Sequence, residues 1–108
     1  MVNYNFCCLF DKKFITRGLA LYDSVLKNCE SEFNFFALCL DEISFDILEK
    51  MNLKGVVPIK LSALENNELK EAKQGRTMAE YSWTLKPYLL EYVFDNYPNI
   101  DILMYLDS

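Results

Sequence analysis

The chain has 108 residues, which is enough for one domain with one core. Its hydrophobic content of 52% and aromatic content of 15% exclude an intrinsically disordered segment. A net charge of −5, with no basic stripe, excludes the electrostatics of a nucleic-acid or anionic-membrane binder.

The apolar runs are short and broken by charge, so no membrane-spanning helix is expected. The opening Met1-Val2-Asn3-Tyr4-Asn5 lacks the basic and apolar parts of a signal peptide. The expected location is the cytoplasm.

Asn5 to Phe10 is a continuous apolar run, the mark of a strand buried on both faces. After the polar break Asp11-Lys12-Lys13, Thr16 is in place to cap a helix. Its stripe is Leu19, Tyr22, Val25, Leu26 and Cys29. Phe33 to Leu40 is a second buried strand, closed by Asp41-Glu42. Ser44 is the expected cap of a short helix with Ile47, Leu48 and Met51 on one face. Gly55 breaks the chain before Val56-Val57-Pro58-Ile59, whose proline points to an edge strand.

Ser62 and Glu65 have capping-box spacing, and Gly75 ends that segment. Thr77 and Glu80 repeat the spacing. From there to Asn96 the pattern is helical, with Leu89, Leu90, Val93, Phe94 and Tyr97 as the core stripe. Pro87 must start a helix or kink one. Pro98-Asn99 is a turn, and Ile100 to Leu106 is a last apolar strand. The order β-α-β-α-β-α-α-β predicts a Rossmann-like three-layer α/β/α fold with a mainly parallel sheet of about four strands, in the order 3-2-1-4. The last strand then lies at a sheet edge, where it can pair with another copy to form a homo-oligomer.

The chain has four cysteines and no histidine. Cys7, Cys8 and Cys39 fall in strand-like runs and Cys29 near a helix end, with no CxxC spacing. Buried free thiols are expected. The lack of histidine removes every Ser-His or Cys-His nucleophile.

Two acids follow buried strands, Asp11 after the first and Asp107 after the last. In a parallel sheet both sit on the carboxyl rim, where open α/β sheets bind ligands. Such a pair suits a divalent cation or a nucleotide, or simply solvates the rim.

Ile102-Leu103-Met104-Tyr105-Leu106-Asp107-Ser108 resembles the strand leading into the Asp-x-Asp motif of nucleotide-diphospho-sugar transferases of the GT-A fold. Asn5 to Asp11, with Phe14 and Arg17 to Leu26, resembles that family's opening. Arg76 to Pro87, with Tyr81, Ser82, Trp83, Thr84 and Lys86, resembles the segment before its motif strand. The likeness is nearest to bacterial family-8-like glycosyltransferases and covers essentially the whole chain.

The resemblance implies residues 1–108 as the N-terminal, nucleotide-sugar-binding half-domain of a GT-A fold, cut inside its DxD motif. It implies a UDP- or GDP-sugar donor and a Mn2+ or Mg2+ cofactor. Asp107 is the implied metal residue, its partner aspartate expected just after Ser108. Phe10 and Asp11 match the turn that contacts base and ribose, while Phe10 is equally suited to core packing. Lys86 and Arg76 match basic positions facing the diphosphate; Arg76 is equally suited to a salt bridge with an acid such as Asp11. Arg17 near a helix start more often solvates the surface, and Trp83 is expected in the core. Because the second aspartate and the C-terminal half are absent, the chain alone is expected to bind donor weakly and to transfer no sugar. The alternative readings are a non-catalytic α/β interaction domain and a receiver-like signalling domain. The latter needs an acid pair after the first strand, where Lys12 and Lys13 stand instead.

Overall fold

The computed structural model describes residues 4–29, 32–64, 71, 78–100 and 102–106. In order, these form β1 (Tyr4–Phe10), α1 (Ile15–Asn28), β2 (Phe33–Cys39), α2 (Glu42–Met51), β3 (Val56–Lys60), α3 (Leu61–Leu64), α4 (Met78–Asn96) and β4 (Met104–Tyr105). The four strands make one sheet in the order β3-β2-β1-β4, with every pairing parallel. This is the three-layer α/β arrangement and strand order that the alternation of elements implies. No helix among the described residues is long and apolar enough to cross a membrane.

The pleat divides the side chains into two half-cores. Cys7, Phe36, Leu38 and Ile59 face one side and are covered by Tyr81, Leu85, Leu89 and Val93 of α4. Phe6, Cys8, Phe10, Phe33, Phe35, Ala37 and Cys39 face the other, against Tyr22 of α1 and Leu48 of α2. That second layer is knit by aromatic edges: the Tyr22 ring lies 5.6 Å from Phe35 and 6.0 Å from Phe33. A side chain at Gly18 would collide with the Phe10 ring, so glycine there lets α1 lie close on β1. Gly55, at φ +79°, occupies left-handed backbone; a Cβ there would come within 2.8 Å of the Phe33 carbonyl oxygen.

Several sequence expectations are corrected. Thr16 does not cap α1, which begins at Ile15 with no side-chain cap at Phe14. Ser44 is not the cap of α2 but is buried in its first turn, and Asp41 is the cap. Leu48 alone of the expected α2 face is buried; Ile47 and Met51 are exposed, because Ser44, Phe45 and Leu48 face the sheet. Leu26 on α1 is exposed. On α4 the fully buried stripe is Tyr81, Leu85, Leu89 and Val93, at a strict spacing of four, and Phe94 turns outward. Trp83 is 66% exposed rather than in the core.

Pro87 lies inside α4. Its ring is on the exposed side, where water can solvate the Trp83 carbonyl that Pro87, lacking an N–H, leaves unbonded. β4 pairs over only two residues, against Phe6 and Cys7. Pro58 sits in β3, which is an edge strand as its proline requires. The capping spacings at Ser62–Glu65 and Thr77–Glu80 and the break at Gly75 involve residues outside those described.

Candidate functional site at the carboxyl rim

With all strands parallel, β1, β2 and β3 deliver their last residues to one rim, together with the turns that open α1 and α2. β4 is the direct neighbour of β1, and the Leu106 amide donates to the Cys7 carbonyl at 2.8 Å. The chain following β1 and the chain following β4 therefore leave the sheet side by side. Asp11 is the first residue beyond β1. Asp107 and Arg76 lie outside the described residues.

Phe10 is 3% exposed, with its ring packed over Gly18. At the rim it presents backbone, its carbonyl accepting from the Leu40 amide at 3.0 Å. Asp11 is half-buried and shapes the turn: its Oδ1 accepts from the Lys13 and Phe14 amides at 2.9 and 3.2 Å. This is how α1 starts without a capping side chain of its own. The other carboxylate oxygen of Asp11 makes no hydrogen bond among the described residues and remains available at the rim.

Lys86 reaches the β4 side of the sheet, where its Nζ lies 4.9 Å from the Tyr105 ring centre. It therefore stands beside the strand whose chain continues into Asp107. Arg17, by contrast, stacks on the exposed Phe14 ring at 5.1 Å.

Two rim residues escape motif reading. Asp41 spans two loops: Oδ1 accepts from the Ser44 amide at 2.8 Å, and Oδ2 from the Lys12 amide at 2.9 Å. Partial burial tends to raise its pKa, but the hydrogen bonds from Ser44 and Lys12 outweigh that and hold the carboxyl below the usual carboxylate range. Its spacing of three from Ser44, directly after a buried strand, is the signal that marks it as the cap. The second is Lys60, at the end of β3, 4.9 Å from the Phe45 ring centre and 3.9 Å from Glu42. Asp41, Phe45, Lys60 and Ser62 line a cleft of about 230 Å³.

No group of three or more acidic, cysteine or histidine side chains that would hold a metal ion occurs among the described residues. Cys7, Cys8 and Cys39 are buried free thiols, and Cys29 is half-buried. Burial pushes Cys7 and Cys39 up to about 12, and raises Cys8 as well. None of the three is a nucleophile or metal ligand at neutral pH.

The chain is 31% identical over 103 residues to the uncharacterized protein YfnF of Bacillus subtilis (strain 168), a match covering 95% of this chain and 34% of that protein. It is 27% identical over 108 residues to the uncharacterized protein YfnD of the same organism, covering 100% of this chain and 34% of that protein. The chain thus spans about a third of the length of these relatives. No protein-family model matches it, and no solved structure matches at a significant level.

Proposed function

We propose that the chain is the nucleotide-sugar-binding part of a glycosyltransferase, taking a UDP- or GDP-sugar donor with Mn2+ or Mg2+. The observation that carries this reading is the parallel pairing of β4 with β1. It sets β1 and β4 side by side, which supports a reading in which the acids that follow them in the sequence, Asp11 and Asp107, act together. Lys86 stands beside β4 as a cation suited to a diphosphate.

The acids suit the group chemically. A hard divalent cation takes carboxylate oxygens, and Asp11 keeps one free of hydrogen bonds among the described residues. Asp107 is the second oxygen donor of this reading. Bound there, the cation would offset charge on a diphosphate leaving group. Asp11 itself orders the turn that receives the nucleotide, and Phe10 supports that turn from the core.

The test is a titration of UDP into the chain, with and without Mn2+, followed by amide chemical shifts. Saturable, cation-dependent shifts at residues 11–14 and 86 are expected. Lys86→Ala should weaken binding roughly tenfold, the scale of one lost charge-assisted hydrogen bond. Binding indifferent to the cation and to both Lys86→Ala and Asp107→Asn sinks the proposal.

A further inference from the structure

A second cavity lies at the opposite end of the sheet. It occupies about 400 Å³, within the range of small-molecule pockets, roughly 300–1,000 Å³. Asn5 and Asn34, the second residues of β1 and β2, stand side by side in register at its wall. Asn96, Tyr97 and Asn99, from the end of α4 and the turn after it, form the facing wall, and Phe36 is among the apolar lining residues.

The polar groups there are of two kinds. Asn5 is 5% exposed and is held in place: its Oδ1 accepts from Asn34 Nδ2 at 3.0 Å, and its Nδ2 donates to the Ile102 carbonyl at 3.2 Å. Asn96 donates back to Tyr92 within α4 at 2.9 Å. The Asn34 side-chain oxygen, the Asn99 side-chain amide and the Tyr97 hydroxyl, however, make no hydrogen bond among the described residues. The lining thus presents both donors and acceptors that the fold leaves unused. The Tyr97 ring is set against Phe36, with centres 4.8 Å apart.

Among the described residues, no Asp, Glu, Lys or Arg lines this cavity. An ionic ligand would lose hydration there without gaining a counter-charge from those residues, and a purely apolar one would strand the asparagine amides. What matches is a molecule that is neutral, bears several hydroxyls able both to donate and to accept, and has C–H faces to lay on an aromatic ring. We infer that this cavity is a binding site for a neutral polyhydroxylated small molecule of mono- to disaccharide size, separate from the carboxyl rim. It does not rest on the glycosyltransferase reading.

The experiment uses maltose and glucose as probes against the intact chain, with gluconate and glucosamine as anionic and cationic counterparts. Saturable amide and side-chain shifts at Asn34, Tyr97 and Asn99 are expected for the neutral sugars and not for the charged pair. Asn99→Ala, in an exposed turn, and Tyr97→Phe, which keeps the ring, should each weaken binding about tenfold, the effect of losing one hydrogen bond. Absence of saturable binding, or binding unchanged in both variants, overturns the assignment. So do shifts confined to residues 11–14 and 86. Because UDP with Mn2+ is read at the rim and maltose at the asparagine cavity, either proposal can fail while the other stands.

Discussion

The two ends of this sheet solve the same problem with opposite chemistry. At the carboxyl end, α1 and α2 begin, and amides there are met by carboxylates: Asp11 accepts from Lys13 and Phe14 in the turn before α1, and Asp41 from Lys12 and from Ser44 in the first turn of α2. At the amino end the helices finish, and carbonyls of their last turns accept from neutral amides. Asn28 donates to Ser24, Asn96 donates to Tyr92, and Asn52 takes the left-handed cap position after α2. The helix dipole favours this division: anions are stabilised at N-termini and disfavoured at C-termini. One consequence is that the capping carboxylates gather at the rim where the helices begin.

Mutations can break this contrast, starting with its supports. Phe10→Ala removes the ring beneath the rim turn and should cost about 3–5 kcal/mol in urea unfolding. A much smaller loss would mean that the ring is not the core wedge described above. At the amino end, Asn34→Leu removes the amide that donates to the buried Asn5 oxygen, and should cost about 1–3 kcal/mol. Adding Asn5→Leu should cost less in that background than in the wild type, the difference being the coupling of the two amides. Fully additive losses would deny the amide pair its role.

Asp41→Ala removes a cap shared by two loops, and a loss of about 1–2 kcal/mol in thermal unfolding is expected. The pH dependence follows from its lowered pKa. The carboxylate contributes fully above its unfolded value, near 3.9, and that contribution fades as pH falls through the lower folded value. Wild type and Asp41→Asn should therefore converge in melting temperature on acidification from about pH 5 to pH 2. Parallel curves would show that the charge is not what holds the loops. Smallest of all, Glu42→Gln should move stability by less than about 0.5 kcal/mol, since its 3.9 Å contact with Lys60 is solvent-exposed.

The sheet was readable because fully buried strands write themselves as continuous apolar runs. Pro58 marked an edge and Gly55 a turn for reasons local to each residue. The helix faces were less legible. Trp83 and Phe94 are large and apolar, yet α4 buries Tyr81 and Leu85 instead, because a stripe spaced by four is narrower than the apolar content of that segment. Caps shifted for a related reason: Thr16 and Ser44 have the right chemistry, but Asp41 caps α2 by accepting from the Ser44 amide, and Asp11 orders the turn before α1 by accepting from Phe14. At the rim, Asp11 and Lys86 were visible as residue types, while the bridging role of Asp41 depends on β1 and β2 being neighbours, a fact no local pattern carries.

Cys7 and Cys8 are adjacent in β1, yet one thiol is sealed by α4 and the other by α1 and α2. With both pKa values raised by burial, neither reacts until its own cover lifts. A thiol reagent applied to the native chain therefore times the two helical layers separately, from consecutive positions on a single strand.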